Sequence, residues 1–504
     1  MRPLQHRSIT LWATVLQSVL PVSATQPAIH PTPAGAGPSG ALVSHAAGAT
    51  LAEQLALHLG ERIQQRLLAP GSRLPSVRDC ALRQGVSPST VVGAYDLLQA
   101  RGLVQARPQR GFYVRDIPVA PAMPAGRASP PPAPVDATAL IRSMFQAQGG
   151  LPAPGMGTLP EAWLDAGVLQ RALRRVCADP GAWLSYGEPA GDASLRAALA
   201  RRLADLGVRA APAQIVTTVG ATHALDLVAR TLLQPGDAVV VDEPGWAVEY
   251  ARLTRLGMRL LPVPRGPEGP DLAVLATLLR EHRPRLYVTV SVLHNPTGTS
   301  LTPATAHQVL RLAEAHDLTI VEDDTYSWLA PLHATRLAQL DALQRTVYVS
   351  GFSKILTPQW RVGFLAAAPA LAERLIDSKL LSTLTTPGPL ERAVAICLDQ
   401  GALRRHAERV ASLLHGARQR TVRLVRDSGC QFRAEPAGLF GWVDVGVDTE
   451  PLAQRLLDEG WLTAPGSLFH ATPRPTSLMR VNFATAQDAR FWQRLRQLRT
   501  SAHT

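Results

Sequence analysis

Apolar and polar positions change their spacing along the chain, and each change indicates a different kind of element. From Leu51 onward the apolar residues recur at helical spacing, which predicts helices at 51 to about 68, 76–84 and about 88–101. Ser76 and Ser87 are suited to cap the second and third helices, and Gly85 permits a tight turn between them. Two short helices joined by a glycine-containing turn predict a helix-turn-helix.

The stretch LVQARPQRGFYV after Gly102 predicts two short strands that form a wing. The third helix would enter the major groove, and the wing would approach the DNA backbone or the minor groove. The residues predicted to contact DNA are arginines, hydroxyl side chains and a glycine of the wing: Arg73, Arg78, Ser87, Ser89, Thr90, Tyr95, Arg107, Arg110 and Gly111. The pattern alone leaves a second interpretation open, a small helical protein-interaction domain with incidental arginines.

From about Leu140 to the end, helical patterns alternate with short β-branched runs such as QIVTTVG, DAVVVDEPG and LTIVEDDTY. This alternation predicts an α/β domain with a largely parallel sheet. The composition divides the chain into a flexible extension at 1–48, the helical module at 49–116, a Pro/Ala-rich linker at 117–145 and the large domain at 146–504.

The first residues imitate a secretory signal, because Arg2 and Arg7 precede the apolar run ITLWATVLQSVLPV and the small residues VSA. A true signal, an interfacial helix, and a disordered or misassigned start are the alternatives. We favour the last, because the downstream modules are expected to work in the cytoplasm. No other stretch of the sequence is apolar and long enough to span a bilayer.

The charge and the cysteines narrow the functional classes only a little. The 504 residues carry a formal net charge of +12, which suggests an anionic partner, although charge alone is weak evidence for nucleic acid. The four cysteines are far apart and show neither metal-ligand nor CxxC spacing. We therefore predict no metal site and no disulfide framework, which suits a reducing compartment.

Lysine is rare in this chain, since Lys354 and Lys379 are the only lysines among the 51 Lys and Arg residues. Only a lysine amine loses its proton at an accessible pH and attacks a carbonyl. This gives a chemical reason to retain Lys354 within YVSGFSKILTPQWRVGF. Lys379 lies in a helical pattern and is interpreted as a surface cation.

Several polar residues follow predicted strands of the large domain, where ligands of open α/β sheets bind. Gly220, Ala221 and Thr222 lie at a strand-to-helix junction that attracts anions, and Ser353 and Arg361 are suited to a phosphate. The remaining candidates are a ring for stacking, an amide, a carboxylate and a nearby phenol: Trp246, Asn295, Asp323 and Tyr326. With Lys354, this set describes pyridoxal 5′-phosphate (PLP) in Schiff-base linkage, with the carboxylate keeping the pyridine nitrogen protonated.

The signatures HNPTG, EDDTY and SGFSK followed by R-x-GF resemble the fold-type I aminotransferases, from about Leu151 to the C-terminus. The resemblance implies a mostly parallel central sheet, a small C-terminal α+β subdomain and PLP as the cofactor. Tyr186 in YGEPAG resembles the residue that reaches the cofactor from a partner subunit. Arg480 in MRVNFA resembles the arginine that pairs with a substrate α-carboxylate.

The segment RLPSVRDCALRQGVSPSTVVGAYDLLQARGLV resembles the GntR-type winged helix-turn-helix. The elements LPS-x-R, GVS-x-x-TV and AY-x-x-L-x-x-x-GL occur in order. The resemblance implies a dimeric DNA-binding head with contacts from Arg73, Arg78, Ser87, Thr90 and Gly111. Pro88 stands where that pattern usually carries Arg, which would remove one contact.

The combination of both modules resembles the MocR subgroup of GntR regulators. It implies a homodimeric cytoplasmic regulator that binds double-stranded operator DNA and senses an amino compound or a B6 vitamer through PLP. The first alternative is a working PLP-dependent aminotransferase with an accessory winged-helix domain. The second is a sequence-independent basic nucleic-acid binder with an inactive large domain.

Overall fold

The computed structural model describes residues 50–64, 68–107, 110–115 and 152–500. The extension predicted at 1–48 and the linker predicted at 117–145 lie outside the described residues. Within the described ranges, no helix is long and apolar enough to cross a membrane. All four cysteines fall inside these ranges and are free thiols.

The N-terminal module, called the head below, has three helices and a hairpin. The helices are α1 (Leu51–Gln64), α2 (Val77–Gln84) and α3 (Pro88–Ala100), and the strands are β1 (Val104–Arg107) and β2 (Gly111–Val114). The Ser76 hydroxyl accepts from Asp79 N–H at 3.2 Å and the Ser87 hydroxyl from Thr90 N–H at 3.1 Å, which confirms both predicted caps. The antiparallel β1–β2 pair forms the predicted wing.

The large domain is built on an eight-stranded sheet in the order β3-β10-β9-β8-β7-β4-β5-β6. Its strands are β3 (Ile215–Thr218), β4 (Ala238–Glu243), β5 (Arg259–Gly266), β6 (Gly269–Pro270), β7 (Leu286–Thr289), β8 (Thr319–Asp323), β9 (Thr346–Gly351) and β10 (Gly363–Ala366). Strands β5, β4, β7, β8 and β9 pair in parallel, while β10 is antiparallel to both of its neighbours. The predicted mostly parallel sheet is confirmed.

Helices cover both faces of this sheet. They are α4 (Ala166–Cys177), α5 (Ala193–Asp205), α6 (Ala221–Leu232), α7 (Ala247–Arg255), α8 (Leu272–His282), α9 (Pro303–Ala315), α10 (Leu337–Asp341), α11 (Pro369–Ser382), α12 (Gly388–Asp399) and α13 (Ala402–Asp427). Val239 and Val241 of β4 pack in one apolar cluster, whereas Val240 between them packs in another. Because side chains alternate along a strand, this stretch of β4, which is covered on both sides, is apolar at each of these positions.

A smaller C-terminal subdomain follows, with a four-stranded antiparallel sheet in the order β11-β12-β14-β13. Its elements are β11 (Gln431–Phe432), β12 (Phe440–Asp444), α14 (Thr449–Asp458), β13 (Ala464–Pro465), β14 (Leu478–Asn482) and α15 (Ala489–Thr500). Trp492 and Phe491 of α15 are buried against it. The predicted small α+β subdomain is confirmed.

Tyr95 lies in the core of the head, contrary to its predicted place near the bases. Its side chain is 0% exposed, its ring packs edge-on against Phe112, and its hydroxyl donates to Pro75 O at 2.9 Å. The prediction of a DNA contact from Tyr95 is therefore wrong. Its helical position faces inward with Val91 and Leu98, which are also fully buried.

We expect Tyr95→Phe to keep DNA affinity within about twofold and to cost roughly 1 kcal/mol of stability, since one buried hydrogen bond is lost. Tyr95→Ala should cost about 3–5 kcal/mol, the range for truncating a buried aromatic ring. Thermal melts and DNA titrations of the full chain check both values. A large loss of DNA affinity in a stably folded Tyr95→Phe protein would restore the predicted contact.

Candidate functional site

The strand-to-helix junction after β3 forms a cradle with Arg361. Gly220 has φ +77°, which favours glycine, and a Cβ there would lie 2.4 Å from an Arg361 guanidinium nitrogen, so a side chain at this position would displace Arg361. Arg361 Nη1 donates to Ser353 Oγ at 3.2 Å. Ala221 and Thr222 open α6, whose N-terminus carries a partial positive charge. The structure thus brings together the residues predicted to bind a phosphate.

Lys354 lies close to two other cations. Burial, followed by the charges of Arg480 and Arg361, lowers the pKa of Lys354 to about 8, although Asp323 acts in the opposite direction. The Lys354 ammonium donates to the carbonyl of Gly157 at 2.9 Å. An amine with this pKa is partly neutral near pH 8 and can act as a nucleophile.

Asp323 ends β8 and lines a cavity that Trp246 and His294 also line. Burial raises the pKa of Asp323 to about 6, while hydrogen bonds from Thr325 oppose the shift. The Thr325 N–H donates to Asp323 Oδ1 at 3.0 Å, which orients the carboxylate. A protonated pyridine nitrogen beside this carboxylate would favour its ionised form.

Arg480 of β14 is 4% exposed and reaches the same site from the smaller subdomain. Its Nη1 donates to Asn295 Oδ1 at 2.9 Å and its Nη2 to Gly155 O at 2.7 Å. Within the part of the chain that the structure describes, its Nε has no hydrogen-bond partner. Burial lowers the pKa of Arg480 to about 10. A buried guanidinium bonded only to neutral oxygens is suited to a ligand carboxylate.

Asn295 and Tyr326 stand beside Arg480. Asn295 is 6% exposed, and the Arg480 bond to its carbonyl oxygen leaves its amide nitrogen as the group that can donate to a ligand. Tyr326 is also buried and packs edge-on against Phe440, with ring centroids 5.6 Å apart. Tyr186 does not join this cluster, because its side chain is 84% exposed in the single chain. Its predicted role in a partner's site stays a prediction.

Most of the predicted DNA-contacting side chains lie on the surface of the head. Arg107 is stacked on the Tyr113 ring at 4.4 Å, and the Ser87 hydroxyl lies 2.7 Å from that of Ser89 and 2.8 Å from that of Thr90. The ones that are exposed are Arg73, Arg78, Ser87, Ser89 and Arg110. Ser87 and Thr90 therefore have a structural role at the start of α3 as well.

Lys379 is not the surface cation that the pattern indicated. Its side chain is 0% exposed, and its ammonium lies 3.3 Å from Thr217 Oγ1 and 3.4 Å from Thr386 Oγ1. Burial lowers its pKa to about 8, which the nearby Glu391 opposes. The scarcity of lysine in the sequence singled out Lys354. The same scarcity could have indicated that Lys379 is also not a chance surface residue.

A buried polar network forms part of the cavity lining and was not predicted from the sequence. Asp242 of β4 accepts hydrogen bonds from Arg265 at 2.8 Å, Tyr287 at 2.5 Å and Thr289 at 2.7 Å. His294 lies 3.6 Å from the same carboxylate, and burial holds the pKa of this histidine well below its usual range. These residues come from four separate segments, so no local sequence pattern indicates that they form a network.

Two family models match the chain. The model for aminotransferase class I and II covers residues 155–495, and the model for bacterial regulatory proteins of the gntR family covers residues 51–114. The chain belongs to both of these families. It is a GntR-type DNA-binding regulator whose large domain is an aminotransferase-like domain of the PLP-dependent kind.

Known relatives include both regulators and enzymes. The chain is 32% identical to the HTH-type transcriptional regulator YdcR of Escherichia coli, over 88% of this chain and 97% of the relative. It is also 32% identical to 2-aminoadipate transaminase of Thermus thermophilus, over 67% of this chain and 84% of the enzyme. The crystal structure of LysN from the same organism, with N-(5′-phosphopyridoxyl)-L-leucine, has a TM-score of 0.66 at 26% identity and covers 72% of this chain and 95% of LysN.

The residues at the sheet edge fit PLP. The Gly220 cradle with Ser353 and Arg361 would hold the phosphate, Trp246 and Asp323 the ring and its nitrogen, and Lys354 the aldehyde carbon. When bound, the cofactor supplies an aldehyde and an electron-withdrawing ring. Among the described residues Arg480 Nε has no hydrogen-bond partner, so one donor of this guanidinium is unused.

We expect Lys354→Ala to abolish the visible absorption band between about 410 and 430 nm that PLP gives when it is joined to a protein amine. Lys379→Met is the matched control, because it removes the other lysine. It should keep the band if the protein folds, which a thermal melt verifies. A band that persists in Lys354→Ala and disappears in Lys379→Met would assign the amine to Lys379.

The rate at which PLP-free protein acquires this band should depend on pH through the Lys354 amine. Because burial lowers the pKa of Lys354 to about 8, the reactive neutral amine grows as the pH rises through 8 and is saturated well above it. Stopped-flow mixing with PLP measures this rate. A rate that still climbs about tenfold between pH 8 and pH 9, where the neutral fraction of a group of pKa about 8 less than doubles, would indicate an ordinary lysine pKa.

Proposed function

We propose that this protein is a cytoplasmic, homodimeric regulator that binds a specific operator and responds to an amino compound or a B6 vitamer at the Lys354–Arg480 site. The observation that carries the proposal is the buried Arg480, which has an unpartnered Nε in a domain joined to a DNA-binding head. Such a site binds a carboxylate beside an amine-reactive cofactor.

The effector class follows from the charges of the site. Arg361 at the cradle and Arg480 near Lys354 provide two cationic regions for two anions, a phosphate and a carboxylate. Lys354 provides a resident amine that an incoming amine can replace. An amino acid or a related amino carboxylate satisfies both requirements, whereas a simple amine leaves Arg480 bonded only to Asn295 and Gly155.

An exposed surface around Tyr186 supports the proposal of a homodimer. Leu184 is 85% exposed, Tyr186 84% and Leu381 93%. Gly187, next to Tyr186, lies close to Thr385 and Thr386, so the loop that carries Tyr186 packs beside the segment after α11. Large apolar side chains exposed to this extent are typical of interaction surfaces. A second copy on this surface would bring its Tyr186 toward the neighbouring cradle.

An active aminotransferase is the second candidate, because Lys354, Asp323 and Arg480 are all present and adjacent. In that case the same residues hold the substrate and Lys354 moves protons at the substrate carbon. The similarity to 2-aminoadipate transaminase favours this candidate, whereas the match to YdcR over nearly its whole length favours the regulator.

DNA protection and steady-state turnover separate the two candidates. We expect the PLP-loaded protein to protect a discrete site in the DNA upstream of its own gene, because the exposed residues of α3 and the wing are suited to base and phosphate contacts. We expect amino and keto acids to be interconverted far more slowly than the usual enzyme range of about 1–1,000 turnovers per second. Rapid multiple turnover without any protected site would establish the enzyme instead.

A further inference from the structure

The head contacts the smaller subdomain through an ion pair. Arg62 of α1 donates to Asp458, the last residue of α14, and Arg83 of α2 lies 3.9 Å from the other carboxylate oxygen. Gln454 also donates to Asp458 at 3.1 Å. Two basic side chains of the DNA-binding module thus converge on one carboxylate of the large domain.

The Arg62–Asp458 pair is largely shielded from water. The Arg62 side chain is 8% exposed and that of Asp458 is 16% exposed. Salt screens such a pair less than a surface pair, and removing one partner leaves the other charge shielded without compensation. The contact therefore depends on the opposite charges of Arg62 and Asp458. Neutralising either residue should release the head from this surface.

A short route of chain and hydrogen bonds joins Asp458 to the effector site. The turn that follows α14 ends at Leu462, whose N–H donates to Pro152 O at 3.0 Å and whose carbonyl accepts from Gly155 N–H at 3.2 Å. Gly155 O in turn accepts from Arg480 at 2.7 Å. A Cβ on Gly155 would lie 2.4 Å from Ala464 N, so the segment is packed tightly against the subdomain.

We propose that the Asp458 end of α14 is the docking surface of the head, and that a carboxylate bound at Arg480 releases the head from it. A carboxylate that draws the Arg480 guanidinium toward itself changes its bond to Gly155 O. Gly155 and Leu462 share a hydrogen bond, so the turn after Asp458 moves with this segment. This inference rests on the proposed function, since it requires one protein to bind both DNA and a carboxylate ligand.

Linkage makes the proposal quantitative. If docking of the head and binding of the ligand oppose each other, the ligand weakens docking by the same factor by which docking weakens ligand binding. Asp458→Asn, which neutralises the docking charge at constant shape, should therefore resemble the ligand-bound wild type. Without ligand, its DNA affinity should already equal that of the ligand-bound wild type.

The test measures DNA affinity by fluorescence anisotropy on the duplex that the protein protects. PLP-free protein is loaded either with PLP or with N-(5′-phosphopyridoxyl)-L-leucine, which fills the same pocket and adds a carboxylate, and the two loaded forms are compared. We expect the conjugate to change the affinity of the wild type by at least about fivefold, the lower end of usual coupling. In Asp458→Asn and Arg62→Met the change should fall below about twofold. Both variants should bind the conjugate, which fluorescence of the ring reports.

Glu459→Gln is the matched control, because Glu459 is the next residue but pairs with Arg494 of α15 and not with the head. It should respond as the wild type does. Thermal melts identify a variant that fails to fold, and Arg62→Met tests the contact independently from the other side. An unchanged response in folded Asp458→Asn and Arg62→Met proteins would overturn the proposal.

A wild type that binds the conjugate and the duplex without any mutual effect would also overturn the docking proposal. It would leave the proposed function to be judged by the protected DNA site and by the visible absorption band. Loss of those two properties, in contrast, would contradict the proposed function itself. The two failures are therefore distinguishable in the same set of proteins.

Discussion

Parallel pairing of the central strands is the constraint on which the site depends. Trp246, Asn295, Asp323 and Lys354 each lie at or after the carboxyl end of a strand, and β4, β7, β8 and β9 are neighbours in the sheet. Because parallel strands end at the same edge, residues more than 100 positions apart converge there. Apolar strands buried on both faces fix the position of this edge.

The electrostatics of the site favour anions on two sides of the Lys354 amine. Arg361 and Arg480 both lower the pKa of Lys354, and only Asp323 among the nearby charges raises it. A phosphate and a carboxylate would each offset one of these guanidinium charges. The same arrangement serves an enzyme and a sensor, so the domain by itself does not decide between turnover and regulation. The head favours regulation, because catalysis on an amino acid gives no reason for a winged helix.

Regulation requires that the effector site and the head share two arrangements of the chain. Arg480 belongs to the smaller subdomain, while Lys354 and Asp323 belong to the larger sheet, so a ligand held by all three fixes the relation between these parts. Asp458 and Arg480 lie in the same subdomain. Leu462, four residues after Asp458, accepts a hydrogen bond from Gly155, whose carbonyl accepts one from Arg480. In the proposed regulation, the subdomain is therefore the element whose position both a ligand and the head influence.

The sequence by itself determined the local features of this protein. Serine caps, the wing, the alternation of strands and helices and the sheet-edge residues around Lys354 could be predicted, because each depends on neighbours within a few residues. Burial could not be predicted in the same way. Tyr95 and Lys379 occupy helices whose inward faces are set by packing, and both were assigned to the surface or to DNA although each is 0% exposed. Arg480 meets Gly155 across 325 positions and Arg62 meets Asp458 across 396. Only the tertiary structure decides such contacts, because the folding of distant segments onto one another, and not their spacing in the chain, brings these atoms within bonding distance.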